Sequence, residues 1–308
     1  MISSRQLIRT LARAPALPVP LPVRMVDALL AARRRAAGLR RASIEIDGFT
    51  LPYLEGGTGE TVVLLHGFGD NKDSFVDAVH GLRARHRIVM PDLPGFGEAS
   101  YRDDFDYRLT NMAAVVRRFI AAVSDGPVHL IGNSMGGAVV TRLAIDEPDA
   151  FASLTLVDAA GVVMPTPSPL QRRIDAGENP FALQEASEYD AWLAFVLQRV
   201  PPMPWGVRRH FARQFVARAP IHRKILDDML RPDDDLTGEL ASVRTPTLVI
   251  WGSEDRLIDI SVAHVLHERI HDARLVVLHD VGHCPQYEVP DRTADLLARF
   301  VAEHSAQR

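Results

Sequence analysis

A mostly parallel β-sheet with crossover helices, an α/β fold, is what this sequence predicts, and three observations carry the prediction. Short apolar runs of strand length alternate with helix-like stretches from residue 61 onward. Several of these runs end in loops that carry glycine, serine, histidine or acidic residues, which places polar chemistry at one sheet edge. At 308 residues the chain can bury a sizeable core, and one α/β domain plus an insertion fits better than two domains.

The elements follow in order. Residues 23–37 have helical spacing, with Met25, Val26, Leu29 and Leu30 on one face. Arg33, Arg34 and Arg35 sit near the C-terminal end, where cations suit the helix dipole. Thr61–Leu65 reads as a strand ending in His66-Gly67-Phe68-Gly69, and Arg87–Met90 as a strand ending in Pro91-Asp92-Leu93-Pro94-Gly95-Phe96-Gly97. Val128–Ile131 is a third, short and branched, followed by Gly132-Asn133-Ser134-Met135-Gly136-Gly137. Ala138–Glu147 then runs without proline or glycine as far as Pro148, as a helix would. Leu154–Val157 leads to Asp158, Thr247–Gly252 to Ser253-Glu254-Asp255-Arg256, and Arg274–Leu278 to His279-Asp280-Val281-Gly282-His283.

The stretch around Ser134 is the most informative. Glycines at 132 and 136 remove the Cβ atoms that would clash when a strand reverses sharply into a helix. Ser134 is thereby expected at the exposed apex of a strand–turn–helix. A serine hydroxyl is a poor nucleophile unless a base takes its proton and an acid orients the base. His283 is the expected base, with His279 its local competitor at the end of the strand; Gly282 should give His283 a flexible turn. Asp255 is the expected acid because its short carboxylate on the strand-exit turn suits a fixed bond to imidazole Nδ1; Glu254 is its neighbour, and Asp158, one strand earlier, is the alternative acid. Backbone N–H groups of Phe68, turned by its flanking glycines, and of Met135 are expected to form an oxyanion hole. His66 and Asp92 are read as structural, fixing the loop and the turn respectively.

Together these motifs strongly resemble the α/β-hydrolase superfamily across roughly residues 43 to 304. The resemblance implies a mostly parallel eight-stranded sheet with helices on both faces, a nucleophile elbow at Ser134, and partners in the chain order serine, acid, histidine. The run His66 to Phe75 and the segment Glu178-Asn179-Pro180-Phe181 look like bacterial carboxylesterases and lipases related to the monoacylglycerol lipases. The Gly-Asn-Ser-Met-Gly-Gly turn and Asp255-Arg256 are also similar to C–C bond hydrolases of meta-cleavage products. Those enzymes usually carry a tryptophan after the histidine, where this chain has Cys284.

More than eighty residues without a clear strand separate Asp158 from Pro246, much longer than an ordinary connection. Met164-Pro165-Thr166-Pro167-Ser168-Pro169 makes a stiff exit, and helical stretches follow at 187–198, 207–219 and 221–230, punctuated by prolines 201, 202, 204 and 220. An insertion here resembles the helical cap that roofs many such active sites. Phe181, Trp192, Phe195, Val196, Met203, Trp205, Phe211 and Phe215 give it a large apolar supply. The expected division is a basic arm over 1–42, a catalytic domain over 43–161 and 243–308, and the cap over 162–242.

Composition is that of a globular protein, with 47% hydrophobic and 24% charged residues and a net charge of −4. The balance is uneven: residues 1–41 hold nine arginines and one acid, Asp27, so the rest of the chain carries the negative excess. An acidic body argues against nucleic acid. An arm packed on the body is the favoured reading of residues 1–41, with peripheral contact to anionic lipid the sharper alternative. The single cysteine excludes an internal disulfide. No Cys/His cluster has metal-ligand spacing, and neither cofactor nor metal is expected. The sequence thus points to a serine esterase, cytoplasmic or peripherally membrane-associated, acting on carboxylic esters with an apolar acyl group. A C–C hydrolase is the alternative, and a non-catalytic ligand-binding module is a third reading.

Overall fold

The computed structural model describes residues 22–231 and 234–306. Eight strands form one sheet: β1 (Arg40–Ile46), β2 (Phe49–Gly56), β3 (Thr61–Leu65), β4 (Arg87–Pro91), β5 (Val128–Asn133), β6 (Ser153–Val157), β7 (Thr247–Gly252) and β8 (Ala273–Leu278). Their spatial order is β1-β2-β4-β3-β5-β6-β7-β8. The pairs β1/β2 and β2/β4 are antiparallel, and every later pair is parallel. The first two strands carry no buried-run signal in the sequence, because β1 alternates exposed and half-buried residues at the sheet's open edge. β1 also begins at Arg40, inside the expected 1–42 arm.

The central strands β3, β5, β6 and β7 are buried on every residue because both faces are covered. Val63 and Leu65 of β3, Leu130 of β5, Leu156 of β6 and Trp251 of β7 point into one core. Their neighbours Val62, Leu64, Ile131, Val157 and Ile250 point into the other, as the two-residue period of a strand requires. Helices α2 (Leu109–Val123) and α3 (Met135–Asp146) supply the first core. The second is closed by the C-terminal helix (Pro290–Glu303), through Leu297, Phe300 and Val301, and by a run of turns holding Phe75, Val79 and Leu82. That run replaces the crossover helix expected between β3 and β4; its backbone bonds span three residues, as from Ala78 N to Phe75 O at 2.8 Å.

The N-terminal helix α1 (Val23–Ala36) matches the expected segment to within a residue. Arg33 Nη2 lies 2.9 Å from Asp77 Oδ2, and Arg34 holds Asp73 through two bonds. These pairs pin the helix to the turns that follow β3. Among the described residues four α-helices lie between β6 and β7: α4 (Pro169–Asp175), α5 (Tyr189–Val196), α6 (Trp205–Ala217) and α7 (Ala219–Met229). Ser168 caps the first, accepting from Gln171 N at 3.0 Å. The last two are separated at Arg218, beside Pro220, as the proline spacing predicts. Phe181, Trp192, Phe215 and Ile225 tie this insertion into the first core.

Candidate active site

Chain order reverses at β3 and β5, which lie side by side although β4 falls between them in sequence. The crevice at their carboxyl ends is the topological switch point, where open α/β sheets bind ligands. Ser134 leaves β5 there with φ 54° and ψ −119°, a strained conformation costing about 1–3 kcal/mol. It is the N-cap of α3, whose first N–H groups point at the crevice. The glycines around it are spatial necessities. A Cβ on Gly132 would lie 2.3 Å from Gly136 O, and one on Gly136 would lie 2.5 Å from Leu65 O.

His283 and Asp255 converge from the ends of β8 and β7. Asp255 Oδ2 accepts from His283 Nδ1 at 2.7 Å, and both side chains are almost fully buried. Asp255 Oδ1 is fixed in turn by Leu257 N at 2.7 Å and Ile258 N at 3.1 Å. The competitors fall away: the Glu254 side chain bonds only Ser253 Oγ at the surface, and His279 is exposed. Gly282 has no positive φ, so flexibility is not its contribution. Its lack of a side chain lets the loop approach the insertion, since a Cβ there would meet Gln198 N at 2.6 Å.

Asp158 is close by. One carboxyl oxygen each from Asp158 and Asp255 and one His283 nitrogen lie within 4.8 Å of one another. Asp158 is fully buried at φ 45°; its Oδ1 accepts from Gly252 N at 2.8 Å, while Oδ2 receives no N–H or O–H. Burial, reinforced by the Asp255 charge, pushes its pKa well above the usual carboxylate range.

The N–H groups of Phe68 and Met135 have no hydrogen-bond partner among the described residues, so both are available to an incoming oxygen. The loop carrying Phe68 is fixed from below. Its His66 bonds Gly67 O through Nδ1 at 2.8 Å and accepts from Leu93 N through Nε2 at 3.0 Å. Asp92 does more than shape its turn: it pairs with buried Lys72 at 2.8 Å and also accepts from Lys72 N and Glu98 N. This ion pair ties the two loops together and left no mark in the sequence, where Lys72 looks like one more surface charge.

A cavity of about 340 Å³ opens over Ser134 and His283. Phe68, Phe181, Trp192, Val196, Met203, Phe211 and Phe215 line it, whereas Phe195 and Trp205 do not. Those two instead lie under Arg173 and Arg209. The lining contains two features that the sequence did not signal. Leu29, Leu30 and Arg33 bring α1 into the wall, and His222 sits among Phe68, Phe96 and Phe215. Burial lowers the His222 pKa to about 4, so it is neutral in this apolar roof. Cys284 beside His283 is a buried thiol whose pKa burial pushes up.

Residues 60–290 match the alpha/beta hydrolase fold. The chain belongs to the α/β-hydrolase family. Lipase 1 of Psychrobacter immobilis is 30% identical over 296 residues, covering 94% of this chain and 93% of the lipase. Monoacylglycerol lipase ABHD6 of Mus musculus is 27% identical over 256 residues, 79% of this chain and 75% of that one. Among solved structures, a membrane phospholipase A described as a novel bacterial virulence factor matches with a TM-score of 0.89 at 32% identity, covering 96% of each chain. This α/β-hydrolase is thus related to lipases and monoacylglycerol lipases. No helix among its described residues is long and apolar enough to cross a membrane.

The α/β-hydrolase contains a second serine–histidine–carboxylate series. His129 Nδ1 lies 2.8 Å from Ser153 Oγ, and Nε2 lies 3.2 Å from Glu60 Oε2. It sits at the amino ends of the strands, opposite the crevice, and Ser153 and His129 are both fully buried. A hydroxyl sealed inside the sheet cannot meet a substrate.

Proposed function

We propose that this α/β-hydrolase cleaves carboxylic esters with an apolar acyl group, in the manner of a carboxylesterase or monoacylglycerol lipase, through an acyl-enzyme. The observation that carries the reading is the His283–Asp255 bond beside a strained Ser134 in an apolar cavity. Bound at Nδ1 by Asp255, the imidazole leaves Nε2 to take the Ser134 proton, and Ser134 attacks the ester carbonyl. The oxyanion sits on the N–H groups of Phe68 and Met135, each such donor being worth about 3 kcal/mol of transition-state stabilisation. Alcohol leaves with the His283 proton, and water repeats the sequence on the acyl-enzyme. The aromatic roof excludes water while an acyl chain is in place.

The expected division into arm, catalytic domain and cap serves this reading, with the four-helix insertion as the part that selects the acyl group. Relatives named as lipases support a lipid ester as substrate. For the arm, the ion pairs of Arg33 and Arg34 favour packing on the body for residues 23–36; residues 1–21 lie outside the described residues. We read the setting as cytoplasmic, with access to esters at a membrane surface. The C–C hydrolase reading is weaker because Cys284 stands where those enzymes usually have tryptophan.

Hydrolysis of p-nitrophenyl butyrate by wild type and Ser134→Ala tests the reading, followed by a chain-length series. Wild type should turn over and the variant should not. Equal, slow hydrolysis by both would refute the esterase mechanism, and turnover of a dienoate diketone without ester hydrolysis would favour the C–C reading.

A further inference from the structure

The strands' amino ends gather a second polar cluster, remote from Ser134. Glu60, His86 and His129 each present one ligand atom, and the three atoms lie within 4.8 Å of one another. His129 Nε2 is 3.2 Å from Glu60 Oε2, close to the spacing of two donors on one tetrahedral zinc ion. Ser305 Oγ lies between the rings, 2.9 Å from His86 Nε2 and 3.3 Å from His129 Nε2.

The protons of this cluster do not close. His86 Nδ1 is 3.2 Å from Leu82 O, which only accepts, so Nδ1 carries the ring proton. His86 Nε2 is then an acceptor and needs the Ser305 hydroxyl proton. Val301 O, 2.8 Å from Ser305 Oγ, already accepts from His304 N at 3.1 Å and competes for the same proton. With that proton on Val301 O, the lone pairs of His86 Nε2 and Ser305 Oγ face one another beside the Glu60 carboxylate, an arrangement that a cation between them relieves.

We propose that Glu60, His86 and His129 form a binding site for a divalent transition-metal ion, best suited to Zn²⁺, that fastens the C-terminal end of the chain to the base of the sheet. Two imidazoles and one carboxylate are a set zinc accepts, with Ser305 Oγ or water as the fourth ligand. The surroundings already have the form such ligands need. Each histidine turns Nε2 toward the common point while Nδ1 bonds a second partner, Leu82 O for His86 and Ser153 Oγ for His129. On binding, His129 shifts its proton from Nε2 to Nδ1 and donates it to Ser153 Oγ. Ser305 donates its proton to Val301 O and turns a lone pair to the metal. Glu60 is the entry side: its side chain is partly exposed and lines a surface crevice with Gly59, Arg87 and Pro127. The three ligands come from separate strand ends, which is why no spacing in the sequence reveals them.

The test uses the full chain, stripped with chelator and titrated with Co²⁺ and Zn²⁺. Wild type should bind one Co²⁺ with the visible absorption of a four-coordinate ion, and Zn²⁺ at roughly a hundredfold excess over its Kd should raise Tm by about 5 °C. Glu60→Gln and His86→Gln should lose both responses, with p-nitrophenyl butyrate hydrolysis retained as evidence of folding. His283→Ala should keep both, which separates this cluster from the one at Asp158 and Asp255. Ser305→Cys, a mild change at the chain's end, should add a thiolate-to-Co²⁺ charge-transfer band. Absence of Co²⁺ absorption in wild type, its survival in Glu60→Gln and His86→Gln, or its loss in His283→Ala would each overturn the site. A silent Ser305→Cys would overturn the placement at Ser305.

Discussion

Replacing Asp255 by asparagine should lower kcat by about four orders of magnitude while leaving the fold intact, and the hydrogen bonds explain why. Asp255 Oδ1 accepts from Leu257 N and Ile258 N, and Oδ2 accepts from His283 Nδ1. An asparagine must keep its single oxygen on the two backbone N–H groups, so its NH₂ turns toward His283 Nδ1. That nitrogen must then accept, the ring proton moves to Nε2, and the base can no longer take a proton from Ser134. A triad kept in shape but forced into the wrong tautomer loses about 10⁴-fold, or about 5 kcal/mol of transition-state stabilisation. Asp158 adds a feature peculiar to this site. Its raised pKa comes from burial first and the Asp255 charge second, so removing that charge makes its ionisation easier. The residual rate of Asp255→Asn should therefore rise with pH as Asp158 loses its proton, and the double variant with Asp158→Asn should lose that rise. The assay is kcat and kcat/KM for p-nitrophenyl butyrate as a function of pH. A loss smaller than about tenfold in Asp255→Asn, or a larger loss in Asp158→Asn alone, would refute the assignment of the acid.

Gly136→Ala puts a Cβ 2.5 Å from Leu65 O and 2.6 Å from His66 O. It should cost about 1–3 kcal/mol of stability and reduce kcat more than KM by shifting the Met135 N–H; denaturant midpoints and steady-state kinetics check both. Asp92→Asn leaves the Lys72 ammonium, only 1% exposed, with Glu98 at 3.1 Å as its remaining carboxylate. A loss of about 3 kcal/mol, seen as a lower Tm, is expected; an unchanged Tm would mean the pair contributes nothing net. His222 binds its proton at about 4 in the folded state against 6.5 when free, so between those values the unfolded chain holds more protons and stability is lost as the pH is lowered. At about 1.4 kcal/mol per unit the loss reaches about 3 kcal/mol near the lower limit. His222→Phe should therefore become more stable relative to wild type as the solution is acidified, and parallel urea midpoints across that range would contradict it.

The features legible in the sequence were local ones. Ser134 was readable because the turn demands glycine at 132 and 136, and that demand is met within five residues of chain. Asp255 and His283 were readable because each leaves a buried strand, and strand ends of one parallel sheet share an edge. What escaped was non-local or depended on burial. Lys72 looks like a surface residue until Asp92, twenty residues away, meets it in the interior. The β1/β2 hairpin escaped because an exposed edge strand carries no apolar run. Helix α1 was legible as a helix but not as a cavity wall, since amphipathic spacing says which face is apolar and not what that face meets. Gly282 was assigned to the right place for the wrong reason: the loop needs room, and the room is set by Gln198 from the insertion.

That last contact bears on how such a site selects its substrate. His283 N donates to Val196 O at 3.1 Å, Gly282 N and Arg199 N both donate to Glu288, and Arg256 Nη1 donates to Ala194 O at 3.1 Å. The end of α5 is thus hydrogen-bonded to the loops that carry His283 and Asp255. Trp192 and Val196 on the same helix face the cavity. On the proposed reading, the residues that would contact the acyl chain and those that hold the imidazole are therefore one mechanical unit. Enlarging the roof at α5 to admit a longer chain moves the helix end that fixes His283, so chain-length preference and kcat change together. Met203 and Phe211 also line the cavity but lie farther along the insertion. Substitutions at these two positions are the ones that can alter the acyl group accepted without disturbing the base.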